Sequence, residues 1–416
     1  MAVFSGLPPE TIAEIFSYLS CPDLASTARV SHYFNLISQP LLYTTLVLRK
    51  IPEPGTGRSS PALGILLRTL LTPGCKTLAS YVRSLHLEWD TGEVEFPSMS
   101  STASIDLMTT MASRLNIRAP LKSHTTQLML LLDLFPRLQS LHLSPPNNFL
   151  FTRHLQSSLA TGTLPLGLQS LRQIICTPTH DSSDVSSKTL LQYMQLPHVR
   201  YLEVPSVNWY TRSLSTLTSA VASSRVTHLR FSYAEIPSWS LAYILCVPIA
   251  LTHFSYSAVS GGNFNLPRFM AALEPLKKSL KVLHLDFGDV DLTTSDDEEE
   301  FLLPYEEGSL REWSALTTLS CSLMPLLGKG QLDGSPRLVD VLPVGLRELE
   351  ILQDSHWWVS EEVDQVVEVL QSKESVVPQL EKVAVVMEWG TMTVPERLVA
   401  ACEAAGVKFV DESFCW

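Results

Sequence analysis

The sequence has no apolar run of the roughly 18 residues that a membrane helix needs. Its best candidate, Leu128 to Leu132, is interrupted at once by Asp133 and Pro136. A helical membrane protein is therefore excluded. The first residues, MAVFSGLPPE, lack the basic start and long apolar stretch of a secretory signal, so a place in the cytoplasm or nucleus is expected. Paired cysteines are missing too: Cys21, Cys75, Cys176, Cys246, Cys321, Cys402 and Cys415 are odd in number, scattered, and contain no C-x-x-C. That speaks against a disulfide framework or zinc ribbon and predicts reduced thiols, mostly buried. Basic residues are in deficit, 30 Lys and Arg against 42 Asp and Glu, and no Lys/Arg stripe offsets the net charge of -12. A polyphosphate would be repelled, so neither nucleic acid nor membrane is expected as a partner.

Motifs with a chemical mechanism are also lacking. There is no G-x-x-x-x-G-K-[ST], no G-x-S-x-G, no H-E-x-x-H and no G-x-G-x-x-G after a strand, and the GKG at Gly328 to Gly330 is a turn. No catalytic residue, metal ligand or cofactor is assigned, and a non-enzymatic protein is expected.

What the chain does have is apolar material: 45% hydrophobic against 17% charged residues, enough for a large core. Near the N-terminus, Ile12, Ile15, Phe16 and Leu19 fall at the spacing of one helix face. Pro8, Pro9 and Glu10 suit its first turn, where a missing N–H is no loss and an acid meets the positive dipole end. Ser20-Cys21-Pro22-Asp23 predicts a capped start for a second helix with Leu24, Thr27 and Ala28 inward. A third face follows with Val30, Phe34, Ile37 and Leu41. Three helices in so short a stretch bury little surface alone and need a neighbour.

This segment, LPPETIAEIFSYLSCPDLASTARVSHYFNLISQPLLY, resembles the F-box, with a Leu-Pro-x-Glu opening, an Ile-x-x-Ile-Phe-x-x-Leu helix, an Asp-Leu pair, a Val-Ser pair and a late aromatic. The aromatic, Phe34, is more often Trp in that family. The resemblance implies that Leu7, Pro8, Pro9, Ile12, Ile15, Phe16, Leu19, Leu24, Val30 and Phe34 contact a Skp-type adaptor and, through it, a cullin-RING ligase. Any of them can instead pack on the chain itself, because a helix has one face to give each partner.

Farther on, a string of the form apolar-x-x-apolar-x-apolar recurs, each copy long enough for one strand. Taking the second anchor of each gives Leu85, Leu141, Leu171, Leu202, Leu229, Phe254, Leu283, Leu319, Leu349 and Val383, with Leu46 beginning the series and ASRLNI around Leu115 a candidate hidden member. Helical stretches such as TTQLMLLLDLF and EEVDQVVEVLQ lie between them, and the tail from Pro395 supplies a closing helix and strand. This resembles a leucine-rich repeat and implies an α/β solenoid, a curved parallel sheet with helices outside. The family's Asn or Cys at the turn position is nearly absent, Cys176 alone fitting, so an irregular substitute for the turn ladder is expected. F-box followed by degenerate repeats resembles the F-box receptor class of fungal genomes.

The expected organisation is residues 1–50 as the adaptor-binding segment, 51–61 as a Pro/Gly/Ser loop, and 62–416 as the repeats, with an acidic loop at 293–300. Candidate contacts for a target protein are His86, His142, His228, Arg230, His253 and His284, together with Trp357 and Trp358 beyond a strand. Arg172 is expected to point outward in the same column as His86. His228 and His253 with His284 could share a metal or proton, though surface histidines are the plainer reading. The expected function is a substrate receptor of an SCF-type ubiquitin ligase. The alternatives are a repeat scaffold acting outside a ligase, or an enzyme with an unrecognised site.

Overall fold

A computed structural model of the chain describes residues 7–48, 62–72, 75–88, 102–115, 117, 124–144, 149–177, 185–205, 223–236, 238–258, 266–287, 310–323, 326, 336–353, 360–387 and 394–411. The 51–61 and 293–300 loops, the GKG turn, Trp357, Trp358 and Cys415 lie outside these. The chain forms two compact units, one of residues 1–183 and 195–200, the other of 184–194 and 201–416.

The first unit begins with helices α1 (Pro9–Ser17), α2 (Cys21–Ala28) and α3 (His32–Thr44). Pro9 sits at the start of α1, where its missing N–H is no loss. Ser20 caps α2 by accepting from the Asp23 N–H and donating to the Asp23 carboxylate at 2.6 Å, and Ser31 caps α3 through the Phe34 N–H. Helix α3 ends at Thr44 and strand β1 (Thr45–Leu48) starts at the next residue, with no linker between.

Strand β1 pairs with β2 (Ser84–Glu88), then β3 (Ser140–Ser144) and β4 (Gln173–Cys176), all parallel and in chain order. The second unit continues the plan with β5 (Tyr201–Pro205), β6 (His228–Ala234), β7 (His253–Ala258), β8 (Val282–Asp286), β9 (Thr318–Cys321), β10 (Glu348–Gln353), β11 (Lys382–Met387) and β12 (Lys408–Asp411). Parallel sheets are usually covered on both faces and their strands apolar throughout. Here burial alternates along the strands, so helices cover one face only. The covered positions are two columns, Leu85, Leu141 and Ile174 beside Leu87, Leu143 and Cys176 in the first unit, continued in kind by Leu202 and Val204 onward in the second. A third anchor precedes each of the strands between the first and the last, as in Val82, Leu138, Leu171 and Val199.

This register corrects three sequence expectations. Leu171 is the anchor before β4, and the second anchor is Ile174, because LQSLRQIIC offers apolar residues at both phases and only the pairing of Leu141 with Ile174 selects one. Cys176 is therefore a buried strand residue paired with Leu143, not a turn residue. Leu115 follows helix α6 (Thr102–Arg114) and starts no strand, so the long spacing between β2 and β3 is one repeat carrying extra helix. The cysteines divide more evenly than expected: Cys176, Cys321 and Cys402 are buried, Cys75 is intermediate, and Cys21 and Cys246 are exposed. Burial pushes the Cys321 thiol up to about 12 and that of Cys402 up to about 11.

In place of a side-chain ladder at the turns, the strand starts carry a regular one made of backbone. The Arg83 carbonyl accepts from the N–H groups of Gln139 and Ser140, and that of Gln139 from Arg172 and Gln173. In the second unit the carbonyls of Thr227, Thr252, Lys281, Thr317 and Arg347 each accept in the same way from two successive N–H groups of the next repeat. All these bonds measure 2.7 to 3.0 Å. Each repeat thereby satisfies the donors that bring the chain into the next strand.

The helices of the covered face are α4 (Ala62–Leu71), α5 (Lys76–Ala79), α6, α7 (His124–Leu134), α8 (Phe149–Thr161), α9 (Leu166–Ser170), α10 (Ser187–Met194), α11 (Ser238–Leu245), α12 (Leu266–Leu273), α13 (Leu338–Val341), α14 (Ser360–Gln371), α15 (Lys373–Val376) and α16 (Glu396–Ala404). Asp133, which breaks the apolar run of α7, is itself buried. It pairs with Arg114 and accepts from the Leu166 N–H at 3.2 Å, tying α6, α7 and α9 together. Gly406, at φ 63°, ends α16 and directs the chain into β12, the closing strand expected from the tail.

Gly167 is a second glycine with a purpose, since a Cβ there would collide with the Leu132 carbonyl oxygen and lie 3.0 Å from that of Phe135. Gly167→Ala should lower stability by about 2 kcal/mol, the range of overpacking costs. Gly345→Ala, whose new carbon would meet nothing nearer than 3.4 Å, should leave the urea midpoint unchanged. Equal midpoints for both variants would show that α9 can move off α7.

Candidate functional site

Two surfaces carry the residues singled out from sequence. On the first, α1 to α3 close a small core of Ile12, Phe16 and Leu24, against which Phe34, Ile37, Leu41 and Leu42 pack. Phe16 meets the edge of Phe34 with ring centroids 5.3 Å apart. Ile12, Phe16 and Leu24, expected as adaptor contacts, are thus buried in the segment's own core. Phe34 is half-buried against the same core. The other six candidates remain outside: Leu7, Pro8, Pro9, Ile15, Leu19 and Val30 are exposed, Ile15 by 41% and Val30 by 56%. Val30 precedes α3 and does not share its inner face.

Three further apolar residues stand exposed beside them and escaped the sequence reading: Tyr18 at 83%, Tyr33 and Leu36. Tyr18 and Leu19 directly follow the last turn of α1, which holds Ile15 and Ser17, and Leu36 follows Tyr33 at i+3 on one side of α3. The helical period that placed the inner face could have found them.

The second surface is the uncovered face of the sheet. In the first unit His86 and His142 are register partners, and their rings stack at 3.7 Å and 10°. In the second unit His228 and His253 stack at 3.9 Å and 15°, with Nδ1 of each 2.9 Å from the hydroxyl of the threonine before it. Near-parallel stacked imidazoles direct their in-plane lone pairs side by side, so they do not converge on one ion. His284 pairs with Ser255, two residues along from the His253 column, and does not complete a cluster. Among the described residues no group of three or more His, Cys, Asp or Glu is placed to hold a metal.

Around these imidazoles the face is polar and braced. Tyr201 donates to Glu203 at 2.7 Å, and burial first, then that bond, pushes its hydroxyl up to about 12. Arg230 lies 3.8 Å from Glu203 and donates to Ser232. Ser257 donates to Asp286 at 2.7 Å and Ser320 to Glu350 at 3.0 Å. Arg172 is absent from this face. With β4 in its observed register Ile175 occupies the column of His142, and Arg172 falls at the strand start.

One aromatic was missed here. Between Phe231 and Ala234 the register of β6 shifts by a residue against β7, and Tyr233 takes a φ of 52° with its side chain 66% exposed. The buried Tyr256 hydroxyl fixes this bulge by donating to the Ala234 carbonyl at 3.2 Å and accepting from the Ile236 N–H. No feature of FSYAEI announces a bulge, so sequence had no signal for it.

Apart from both surfaces, the first unit contains a cavity of about 560 Å³ at the strand starts, lined by Arg83, Arg137, Arg172, Arg200, His198 and Gln139 among others. The arginines are dispersed in sequence and come together only through the repeat.

Residues 4–49 match the family model described as F-box-like, and the three N-terminal helices with β1 are that F-box-like domain. Comparison with curated protein sequences finds no match. Among solved structures the chain is similar to the leucine-rich-repeat-containing protein LegL7 from Legionella pneumophila, at 14% identity and a TM-score of 0.41, covering 87% of this chain and 98% of that one. It is also similar to a chain of the Rad7 and Elc1 complex of yeast, at 13% identity and 0.39, covering 96% and 92%.

The histidine pair generates a pH dependence. Desolvation lowers the pKa of His228, and of His253 with help from His228 and Lys281; His284 is lowered by burial as well, against the pull of Glu350 and Asp286. A lowered folded value means the contribution to stability is whole above the ordinary value of about 6.5 and is lost as pH falls through the folded values. A His228→Gln/His253→Gln variant should therefore lose less stability than wild type on acidification below about pH 6.5, measured by urea midpoints at stepped pH. Parallel curves for the two proteins would refute the assignment.

Proposed function

We propose that the chain is a substrate receptor of an SCF-type E3 ubiquitin ligase, docking on a Skp-type adaptor through its N-terminal helices and holding a target protein on the uncovered sheet face. One observation carries the reading. The F-box-like helices close their own core with Ile12, Phe16 and Leu24 and still expose Leu7, Ile15, Tyr18, Leu19, Val30, Tyr33 and Leu36. So many exposed apolar side chains on so small a domain fit a protein-binding surface.

The second half of the reading rests on the sheet. Stacked histidines, Tyr201, Glu203, Arg230 and the upright Tyr233 give an amphipathic, hydrogen-bonding surface of the kind that protein interfaces use. The role is binding and placement, without chemistry of its own: the ligase subunits react, and the receptor raises the effective concentration of target lysines near them. The junction suits this. Thr44 closes α3, Thr45 opens β1, and the Thr44 carbonyl accepts from the Arg83 N–H at 2.9 Å, so the docking helices join the first repeats without a flexible tether.

Co-expression with a Skp-type adaptor tests it. Wild type should give a stoichiometric complex on size exclusion, and Ile15→Glu/Val30→Glu should weaken it by about 100-fold or more while helicity is unchanged. Phe16→Ala should instead cost about 4 kcal/mol of stability by emptying the small core. A well-folded wild type that forms no complex would sink the receptor reading and leave a repeat scaffold acting outside a ligase.

A further inference from the structure

The uncovered face of the second unit is one-sided in charge. From β5 to β10 its strand positions carry four acids, Glu203, Asp286, Glu348 and Glu350, against one Lys or Arg, Arg230. The cations stand at its margins. Arg230 lies 3.8 Å from Glu203, Lys281 precedes β8 near His253, and Lys382 of β11 is the register partner of Glu348. The centre is different. Across five successive strands one column runs Arg230, Ser255, His284, Ser320, Glu350, with Asp286 two residues beyond His284 on β8. Between Arg230 and Glu350 that column contains no Lys or Arg.

The donors of this centre are spent on its own acids. Ser257 donates to Asp286 at 2.7 Å and Ser320 to Glu350 at 3.0 Å. A hydroxyl has one hydrogen, so each of these serines offers an incoming group only lone pairs. His253 is in the same condition. The Thr252 hydroxyl donates to the Thr227 carbonyl at 3.0 Å, so its oxygen accepts the Nδ1–H of His253 at 2.9 Å, and the neutral ring keeps its lone pair on Nε2. Desolvation disfavours a second proton on that ring. The floor is also closed to water: Ser320 is 3% exposed, and Ser322, which the register continued one step sets beside Asp286, is 9% exposed and makes no hydrogen bond among the described residues. Carboxylates, engaged hydroxyls and imidazole all accept, so a partner that meets them must bring the hydrogens.

We propose that the uncovered face of the second unit binds a basic segment of the target protein, with arginines or lysines seated at Asp286 and Glu350. This rests on the reading of the sheet as the target-holding face and names the chemistry of the target. Arginine brings five N–H donors and lysine three, and neither can accept. Asp286 and Glu350 stand two strands apart, about 10 Å, which suits two basic side chains of one segment. An acidic or phosphorylated segment would instead set lone pair against lone pair and negative charge against negative charge. Ion pairs on an open surface contribute little, whereas these would form over a dry floor and keep the serine bonds that hold the carboxylates in place.

The test titrates the full chain with three labelled peptides of one length, in which alternate positions of a Gly/Ser backbone hold arginine, glutamine or glutamate, and follows them by anisotropy. Wild type should bind the arginine peptide and neither of the others. Asp286→Asn/Glu350→Gln, which keeps an oxygen for each serine, should weaken that binding by about tenfold or more, and Glu350→Gln alone by an intermediate factor. Glu361→Gln/Glu374→Gln removes two charges from exposed positions on the helices and should bind within about twofold of wild type, since distant charges are screened. Thermal midpoints are read on the same samples, and the single variant decides if the double one unfolds. Equal losses in the two double variants would reduce the effect to overall charge and overturn the proposal. Tighter binding of the glutamate peptide, or no binding by a folded wild type, would overturn it as well. Adaptor binding should be the same for all four proteins; its absence would sink the ligase reading and leave the chemistry of this face standing.

Discussion

The structure depends on covering a parallel sheet from one side only. A sheet buried on both faces spends every side chain on the core. Here most strands spend alternate ones, and much of the remainder, His86, His142, Glu203, Arg230, Ser255 and Glu350 among them, stays at the surface in register. The sheet thereby keeps a face on which neighbouring repeats set side chains about 5 Å apart. The stacked histidine pairs and the bracing of Asp286 and Glu350 by hydroxyls of the neighbouring strand follow from that spacing.

The same economy governs the N-terminal helices. Their sequence carries more apolar residues than three short helices can enclose, and the structure resolves the excess by position: Ile12 and Phe16 go inward, Ile15 and Leu19 outward. Periodicity placed all four on one stripe, because i, i+3, i+4 and i+7 span an arc wide enough to touch both a core and an outside partner. The partition within that arc comes from where α2 and α3 lie, which no local pattern states. Phe16 is held by the edge of Phe34, a contact eighteen residues away in sequence.

Much of the repeat plan was legible for a physical reason: the strand string is short, its period is two, and one misplacement would expose a buried leucine. Leu85, Leu141, Leu202, Leu229, Phe254, Leu283, Leu319, Leu349 and Val383 all lie at the second anchor, and β1 forms around Leu46. Where apolar residues fill both phases, as from Leu171 to Cys176, pattern loses its power to choose, and the register shifts by three residues. That one slip moved Arg172 onto the wrong face and concealed the arginine cluster. ASRLNI failed similarly, since a helix end and a strand start can share an apolar spelling. The bulge at Tyr233 was beyond reach, because it is decided by the Tyr256 hydroxyl on the next strand.

Because the ladder at the strand starts runs chiefly through main-chain atoms, with the Thr252 and Thr317 hydroxyls only adding a bond to carbonyls already paired, the side chain at that position has little architectural duty. Arginine, glutamine, threonine, lysine and glutamate all serve there, at Arg83, Gln139, Thr227, Lys281 and Glu381. Mutation can thus rewrite the chemistry of this edge one repeat at a time without loosening the scaffold. A lineage could change the surface this edge presents by drift, a freedom denied to repeats whose cohesion relies on an invariant asparagine.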